Sequence, residues 1–452
     1  MTNNIADFSN AKCILAIGTN TAEAHPVLAM KVRQTVRQGG AKLIVADPME
    51  VDFVRDADLW LRLRAGTDVA LLMGMCRVIV AEGLHDAAFI EARCENFDAF
   101  KESLKNYPLD RVAEITNVEP DLIVKAARMY ATNRPSMILY AMGICEHSHG
   151  TDNVIANANL AMLTGNVGKP GSGVNPLRGQ NNVQGSCDMG ALPNVFPGYQ
   201  PVSKEEVVQK FESSWGVKLS REPGMKLTEM FPAILEGEIK AMYIMGENPA
   251  LTDPDSRHTR EALSKLDFLV FQDIFLNETA EYAHVILPAA SFAEKDGTFT
   301  NTERRVQRIR KAIEPIGDSR DDYWITCEIA KRMGGKGFEY TGPEKIMDEI
   351  ARLTPTYAGI NYSRLEEGSL QWPCTSEDHP GTCILHEEVF ARGKGHFVPL
   401  KYRPPAETTD EEYPLMLMTG RRLFHYHATI FTGQVLKDGV PVTGSSVAWL
   451  AL

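Results

Sequence analysis

The segment AKCILAIGTNTAEAHPVLAMKVRQTVRQGGAKLIVADP, residues 11–48, contains the pattern that decides the fold. A first apolar run ends in Gly18-Thr19-Asn20, and residues with helical spacing follow from Glu23 to Gln38. A second apolar run, Lys42 to Ala46, ends at Asp47-Pro48. Strand, turn, helix and strand in this order predict a βαβ unit of a parallel sheet.

The same α/β alternation continues along the chain. A helical pattern from Val69 to Glu82 and a buried strand from Ser136 to Met142 extend the first third of the sequence. Later strands are predicted at Ala241 to Met245, Phe268 to Gln272 and His284 to Leu287. We therefore predict an α/β fold of two doubly wound, dinucleotide-binding-like domains with mainly parallel sheets.

Composition and charge exclude several classes of function. The 452 residues carry a net charge of −12, whereas binding to nucleic acid needs a basic surface. The longest apolar run, Val69 to Ala81, is shorter than the roughly twenty residues that cross a bilayer. Residues 1–30 contain no secretory signal, so a cytoplasmic location is expected. The eight cysteines form no C-x-x-C pair and are predicted to be reduced thiols.

Two strand ends carry residues that suit a nucleotide. Gly18-Thr19-Asn20 follows the first strand, where a turn exposes backbone N–H groups to a phosphate. Asp47 follows the second strand, where a carboxylate can hold a ribose or a base edge. The segment lacks G-x-G-x-x-G, so a nicotinamide cofactor is not indicated. An ordinary structural turn explains these residues equally well.

The strongest chemical signal is LTGNVGKPGSGVNPLRGQNNVQG, residues 163–185. Its amide side chains offer donors and an acceptor together, as the edge of a heterocycle requires, and its glycines let the backbone approach a ligand closely. From residue 163 to 200 neither the helical nor the strand period survives, so we predict a long functional loop. A network of Asn-Gly turns is the alternative explanation.

This stretch and its continuation to Gln200 resemble the catalytic subunits of formate dehydrogenases, members of the molybdopterin oxidoreductase family. The resemblance continues in order as far as His427. Its further segments are IGTNTAEAHP (17–26), AGTD (65–68), MGENP (245–249), QDIF (272–275) and EKDGTFTNTERRVQ (294–307). The resemblance implies oxidation of formate to carbon dioxide, or the reverse reaction, by an enzyme that contains molybdenum or tungsten.

Family members hold the metal between two molybdopterin guanine dinucleotides, one in each α/β domain. By this resemblance residues 1–178 form the first dinucleotide-binding domain and residues 179–402 the second. The implied cofactor contacts are Gly18, Asn20, Asp47, Asp68, Gly143, His149, Gly179, Asn181, Asn182, Gly246, Glu247, Asn248, Asp273, Gly420, Arg421, His425 and His427.

Two residues are implied to act on the substrate. Arg178 matches the family arginine that orients the substrate beside the metal, and a planar guanidinium can hold a carboxylate through two parallel hydrogen bonds. A surface or salt-bridged arginine is the plainer alternative. Gln180 matches a polar contact to pterin or substrate. His147 and His149 form an H-x-H pattern without a further zinc ligand, so we predict a hydrogen-bonded pair near the pterin.

At both ends the chain departs from the family pattern. A metal-ligating cysteine or selenocysteine and a 4Fe-4S cluster are expected in a segment before Met1, so no metal ligand is assigned in this chain. Residues 411–452 are predicted to begin a truncated β-rich cap domain, whose pattern fades after His427. The chain alone is therefore expected to be inactive. The intact enzyme is expected to pass electrons to subunits that carry iron–sulfur clusters or flavin.

Two other interpretations stay open. Another molybdopterin oxidoreductase, such as a nitrate reductase, shares the LTGN motif, although Arg178 within PLRGQNN and the GSCDMG continuation favour formate. The third interpretation is a non-catalytic remnant that only binds cofactor or a partner.

Overall fold

The computed structural model describes residues 1–253, 255–420, 436–437, 440–441 and 448–451. The predicted cofactor contacts Arg421, His425 and His427 therefore lie outside the described residues.

The described residues contain the following secondary structure. The strands are β1 (Cys13–Ile17), β2 (Lys42–Ala46), β3 (Leu59–Leu61), β4 (Cys94–Glu95), β5 (Ser136–Tyr140), β6 (Gly173–Pro176), β7 (Val195–Phe196), β8 (Gln200–Pro201), β9 (Ala241–Met245), β10 (Phe268–Asp273), β11 (Val285–Pro288), β12 (Gly297–Thr300), β13 (Arg305–Ile309), β14 (Leu370–Gln371), β15 (Gly395–His396), β16 (Met416–Thr419), β17 (Leu436–Lys437), β18 (Val440–Pro441) and β19 (Ala448–Ala451).

The helices are α1 (Thr21–Ala24), α2 (Pro26–Arg37), α3 (Asp68–Ala81), α4 (Ala87–Arg93), α5 (Phe97–Ser103), α6 (Leu109–Thr116), α7 (Pro120–Thr132), α8 (Met142–Cys145), α9 (Gly150–Leu163), α10 (Val183–Asp188), α11 (Glu205–Trp215), α12 (Leu227–Leu235), α13 (Pro249–Thr252), α14 (Ser256–Ser264), α15 (Asp322–Arg332), α16 (Pro343–Leu353) and α17 (Tyr362–Glu367). Short 3-10 helices span Ile5–Asn10, Asp52–Asp56, Leu104–Asn106, Glu278–Tyr282, Phe292–Glu294 and Pro355–Tyr357. Among these described helices, none combines the length and the apolar character that a membrane crossing requires.

The chain divides into two compact units. Of the described residues, the first unit contains 1–179, 383–420 and strand β19, and the second contains 180–253, 255–382 and strands β17 and β18. The division along the sequence falls after Gly179, one residue later than the predicted domain boundary.

A five-stranded parallel sheet in the order β3-β2-β1-β5-β6 forms the centre of the first unit. Every residue of β1 and β5 is buried, which explains why both strands are almost continuous apolar runs. One hydrophobic core packs α3, α7 and α9 against the sheet, and a second core, on α2, contains Leu28 and Val32. The predicted doubly wound parallel fold is confirmed for this unit.

The direction of winding reverses at β1. Strands β2 and β3 lie on one side of β1, and strands β5 and β6 lie on the other. The loops that follow β1 and β5 are therefore neighbours at the carboxyl edge of the sheet. In doubly wound folds this is the point at which ligands bind.

The long loop predicted from residue 163 to 200 is wrong in part, because it contains an edge strand of the sheet. Strand β6 pairs with β5 in parallel, Val174 lying beside Ile138. On the other side of β6, Thr2 bonds the strand. Thr2 N donates to Val174 O at 3.2 Å, and Val174 N donates to Thr2 Oγ1 at 3.0 Å. The pairing partners, not the Gly- and Pro-rich sequence of β6, make this segment a strand.

Residues 383–402, which the sequence analysis placed in the second domain, pack in the first unit. Strand β15 pairs in parallel with β4, and Phe397 is fully buried in the first core. Tyr107 Oη donates to Leu400 O at 3.0 Å, and Asn159 Nδ2 donates to Val398 O at 2.9 Å. Each of these contacts joins residues far apart in sequence, which local periodicity does not reveal.

The second unit is built on two small sheets. Strands β11, β10 and β9 form a parallel sheet with β10 in the middle, and β12, β13 and β14 form an antiparallel sheet. The parallel sheet packs on a core that includes Phe231, Leu263 and Phe271, and the antiparallel sheet on one that includes Val306 and Ile360. The predicted parallel α/β structure is thus present here in one three-stranded sheet, whose strands follow each other in sequence order without the reversal of a doubly wound sheet, beside an antiparallel sheet of equal size.

Little of the predicted third domain, residues 411–452, is described. Strand β16 pairs antiparallel with β19 in the first unit, and β17 pairs antiparallel with β18 in the second. Gly420, a predicted cofactor contact, is half-buried directly after β16.

Candidate functional site

Two glycines bring the backbones of the loops after β1 and β5 together. Gly143 N donates to Gly18 O at 3.1 Å. A Cβ at Gly18 would lie 2.8 Å from Gly143 C, and a Cβ at Gly143 would lie 2.7 Å from Gly18 O, so neither position accepts a side chain without a backbone shift. Gly18 also has φ of +56°, which disfavours other residues. The glycine pair therefore lets the two loops pack backbone against backbone at the carboxyl edge of the first sheet.

The segment after Gly18 contributes two buried acceptor atoms. Asn20 Oδ1 and Glu23 Oε2 are buried and have no hydrogen-bond partner among the described residues. Buried polar atoms are normally paired, so these two oxygens are suited to accept from a bound group. Asn20 was predicted as a contact, whereas Glu23 was missed, although it lies within the quoted AEAHP motif.

Two buried carboxyl groups lie at the same edge. Burial raises the pKa of Asp47, after β2, to about 6, although Met49 N donates to its Oδ1 at 2.9 Å. Burial also raises the pKa of Asp68, at the start of α3, to about 6, with the charge of His147 opposing and that of Asp47 adding to the rise. Both acids are costly to ionise without donors, so a ligand that supplies donors is favoured here.

The two histidines of the H-x-H pattern stack rather than bond to each other. Their ring centroids are 6.2 Å apart. His147 Nε2 bonds Gly143 O at 2.9 Å, and His149 Nδ1 bonds Ser148 Oγ at 3.2 Å. His149 is buried, and its Nε2 has no partner among the described residues. The predicted direct hydrogen bond is wrong, but the pair does lie beside the glycine pair.

Arg178 is the second residue after β6, at the carboxyl edge of the sheet. Leu177 N donates to Tyr140 O at 2.8 Å, which aligns the ends of β6 and β5. The side chain is half-buried. Burial raises the pKa of the Tyr140 phenol to about 12, Cys145 adds to the rise, and the positive charge of Arg178 opposes it. The guanidinium therefore lies close enough to β5 for its charge to oppose the rise in the pKa of Tyr140.

The residues after Arg178 differ in their surroundings. Gly179 and Asn181 are exposed, and Gln180 is half-buried. Asn182 Oδ1 accepts from Thr300 N at 2.8 Å and so anchors the start of α10 to β12 within the second unit. Its predicted cofactor contact would have to use the amide nitrogen or the backbone.

The second unit gathers its predicted contacts at the carboxyl ends of β9 and β10. Gly246 N donates to Gln272 O at 2.9 Å, and the Asp273 carboxylate accepts from Ile274 N at 2.6 Å. Burial raises the pKa of Glu247, with the charges of Asp253 and Asp273 adding to the rise.

Asn248 has a structural role in this arrangement. Its Oδ1 accepts from Thr279 Oγ1 at 2.8 Å, and its Nδ2 donates to Glu278 Oε2 at 2.7 Å. Both ends of the amide are thus already bonded within the second unit.

A parallel sheet whose carboxyl edge carries a glycine pair, buried carboxyl groups and an arginine defines an α/β protein of the dinucleotide-binding class. The family model described as Molybdopterin oxidoreductase matches residues 1–332, so the chain belongs to the molybdopterin oxidoreductase family. The resemblance inferred from the motifs is confirmed.

Two curated relatives and one solved structure are similar over most of the chain. The subunit alpha of an F420-dependent formate dehydrogenase from Methanocaldococcus jannaschii is 48% identical over 435 residues, 96% of this chain and 64% of that protein. Formate dehydrogenase H from Escherichia coli K12 is 40% identical over 439 residues, 96% of this chain and 61% of that protein. The chain thus spans less than two thirds of the length of these relatives. Acetylene hydratase from Pelobacter acetylenicus, at 24% identity, has the same fold, with a TM-score of 0.66 over 89% of this chain and 58% of its own.

The residues of the first unit fit a molybdopterin cofactor, the group that gives the family its name. The glycine pair holds the loops after β1 and β5 together at the carboxyl edge, where Gly143 is exposed. Asn20 Oδ1 and Glu23 Oε2 offer buried acceptors without partners among the described residues, and His149 Nε2 offers a further polar atom. Asp47 and Asp68 add carboxyl groups that burial has left short of donors.

Proposed function

We propose that this chain belongs to an enzyme that oxidises formate to carbon dioxide, or runs the reverse reaction, and that it binds two molybdopterin guanine dinucleotides. The position of Arg178 carries the proposal. It lies at the carboxyl edge of the parallel sheet, beside the end of β5, in a unit whose other edge residues suit a nucleotide. The names of the relatives, which are formate dehydrogenases, support the same activity.

The first dinucleotide lies against the edge of the first unit in this proposal. Gly18 and Gly143 pack the loops after β1 and β5 backbone against backbone, and in this proposal the pyrophosphate lies against the edge that these two loops form. Asp47 and Asp68 accept from the N–H and O–H groups of the guanine and ribose. Such donors favour the charged carboxylates and offset the burial that raises the pKa of each acid. Asn20 and His149 complete the contacts through atoms that have no partner among the described residues.

The second dinucleotide lies against the carboxyl ends of β9 and β10. Gly246 supplies backbone, and Glu247 and Asp273 supply carboxyl groups. Burial raises the pKa of both acids, so hydrogen-bond donors on the ligand again favour binding. Asn248 acts mainly by holding the turn, because its amide already bonds Thr279 and Glu278.

Arg178 holds the formate carboxylate. A guanidinium presents two parallel N–H donors to the two oxygens of a carboxylate, which fixes the anion in one plane as well as neutralising it. Lysine supplies the charge without that geometry. Gln180, two residues later, adds a polar contact to substrate or pterin.

The overall reaction releases carbon dioxide, one proton and two electrons from formate. The metal–pterin group, when bound, would accept the two electrons. The chain's own residues orient the anion and the dinucleotides, and we propose that electrons leave through partner subunits that carry iron–sulfur clusters or flavin.

The test uses the complete gene product, produced without oxygen in a host that makes the pterin. Arg178→Lys is expected to raise the KM for formate by about tenfold, since the loss of one charged hydrogen bond costs about 1.5 kcal/mol. The content of metal and guanine is expected to stay unchanged. The control is Arg257→Lys on α14, whose side chain is exposed in the second unit.

Two results would overturn the proposal. One is a product that contains metal and guanine but reduces nitrate and does not oxidise formate. The other is a complete product that contains neither metal nor guanine.

A further inference from the structure

A histidine from the first βαβ unit bonds the main chain of Arg178. His25 Nε2 lies 2.6 Å from Arg178 O, and the two residues are 153 positions apart in sequence. A carbonyl oxygen only accepts, so Nε2 carries the proton and donates. Both residues belong to the first unit. This bond fixes the peptide plane between Arg178 and Gly179.

The backbone of His25 is itself held on both sides. His25 N donates to Thr21 O at 2.8 Å at the end of α1, and Ala29 N donates to His25 O at 2.9 Å in the first turn of α2. Pro26 begins α2 and restricts the conformation of the residue before it. The imidazole is therefore presented from a fixed corner between two helices.

The backbone around Arg178 is held by the sheet before this residue and continues into a glycine after it. Strand β6 ends at Pro176, and the bond from Leu177 N to Tyr140 O secures the residue before Arg178. After Arg178 comes Gly179, which is exposed and the most flexible residue type. Rotation about the N–Cα bond of Arg178 would move its side chain and its carbonyl group together, and the bond from His25 opposes this rotation by holding the carbonyl oxygen.

We propose that His25 is a positioning residue that sets the direction of the Arg178 guanidinium toward the carboxylate substrate. This inference rests on the proposed function of Arg178 as the anchor for formate. His25 does not touch the substrate; it acts through the arginine's main chain. Its loss weakens capture of the anion while leaving the dinucleotide contacts in place.

The first measurement is amide hydrogen exchange of the purified chain. His25→Ala is expected to speed exchange in peptides covering residues 177–182 by about tenfold, because loss of one hydrogen bond to Arg178 O lets the neighbouring bond from Leu177 N to Tyr140 O open more often. His25→Gln, whose amide nitrogen can reach a similar position, restores slow exchange. His258→Gln, in the second unit, is the matched control and leaves these peptides unchanged. Unchanged exchange in a folded His25→Ala chain overturns the positioning role.

The second measurement is made on the complete gene product. His25→Ala raises the KM for formate by about tenfold with kcat changed less than threefold, and His25→Gln recovers most of the KM. An unchanged KM beside faster exchange also overturns the inference. A product that shows the exchange effect but never oxidises formate contradicts the proposed function instead, so the two failures are distinguishable. If His25→Ala does not fold, His25→Phe, which keeps a ring but has no donor, replaces it: a raised KM and faster exchange support the role, and values equal to those of the unaltered protein overturn it.

Discussion

Phe397 stacks on Phe100 with ring centroids 4.9 Å apart, although the two residues lie in distant parts of the sequence. The ring centroid of Phe97 lies 5.4 Å from that of Phe397, and Phe397 is fully buried in the first core. This contact ties residues after the second unit back to the first one. The first unit is therefore completed only when the chain returns to it.

Phe397→Ala is expected to lower the free energy of unfolding of the first unit by about 3–5 kcal/mol, because it removes a buried ring and leaves a cavity. Urea unfolding, followed by hydrogen exchange in peptides from Cys94 to Leu104, measures the effect. Phe292→Ala is the control, since Phe292 is 65% exposed, and a change within about 0.5 kcal/mol is expected. An equally small change in Phe397→Ala would mean that residues 383–402 do not stabilise the first unit.

Gly143→Ala is expected to destabilise the first unit by about 1–3 kcal/mol, because its Cβ would press on the backbone of Gly18 and force the loops after β1 and β5 apart. The comparison is Gly297→Ala in β12, where a Cβ meets nothing within 4 Å. Urea unfolding of both variants gives the two free energies. Equal effects at the two positions would contradict the role of the close approach.

Asp47 is expected to contribute a loss of stability to the first unit as pH rises through its titration. The carboxyl group binds its proton more tightly in the fold, where its pKa is about 6, than in the unfolded chain, where it is 3.8. Between these values the folded chain holds more protons, so stability falls with rising pH. Asp47→Asn removes the penalty, and it should raise the free energy of unfolding by about 3 kcal/mol at pH 7 and by little below pH 4. Urea unfolding at four pH values checks this.

Asp56, in the same unit, is a control whose pKa is shifted in the opposite direction. Burial works against its ionisation, but hydrogen bonds from Arg33 and Arg37 outweigh this and lower its pKa. Its contribution to stability is thus present at neutral pH and is lost as pH falls through the folded pKa. Asp56→Asn should therefore destabilise the chain at pH 7, where Asp47→Asn stabilises it. A shift in the same direction for both variants would contradict the assignment for Asp47.

The fold was predictable where neighbours in sequence decide the structure. Strands β1 and β2 are buried apolar runs and appear close to their predicted bounds. The helix predicted from Glu23 to Gln38 is two helices, because Pro26 starts a new one after a corner at His25. Strand β6 was missed because its structure comes from the strand beside it and from Thr2, which lies far away in sequence.

The sequence predicted that several candidate residues lie together, but it did not predict which groups they contact. Gly18, Asp47, Gly143 and Arg178 do lie at one sheet edge, since parallel strands end on the same side. Motifs did not reveal which polar groups are already used. Asn248 bonds Thr279 and Glu278, whereas Glu23 retains a buried oxygen without a partner among the described residues. Such partners depend on distant packing, which one sequence does not show.

Asp188, at the end of α10, accepts hydrogen bonds from three side chains of the second unit. Its Oδ2 accepts from Tyr357 Oη and from Trp372 Nε1, each at 2.6 Å, and its Oδ1 accepts from Gln184 Nε2 at 2.7 Å. The side chain is fully buried. Burial raises its pKa, and these hydrogen bonds oppose the rise. The carboxyl group therefore holds the turn that follows the PLRGQNN motif.

Asp188→Leu is expected to cost about 3 kcal/mol or more in the free energy of unfolding of the second unit, because it removes the acceptor of two buried donors and of the half-buried Trp372 Nε1. Asp188→Asn keeps one acceptor oxygen and should cost about half as much. Urea unfolding, with hydrogen exchange of peptides from residues 183–201, measures both effects. The control is Asp378→Asn at an exposed position, expected to stay within about 0.5 kcal/mol. A leucine variant as stable as the wild type would show that water or other acceptors satisfy these donors, and that Asp188 does not fix the turn.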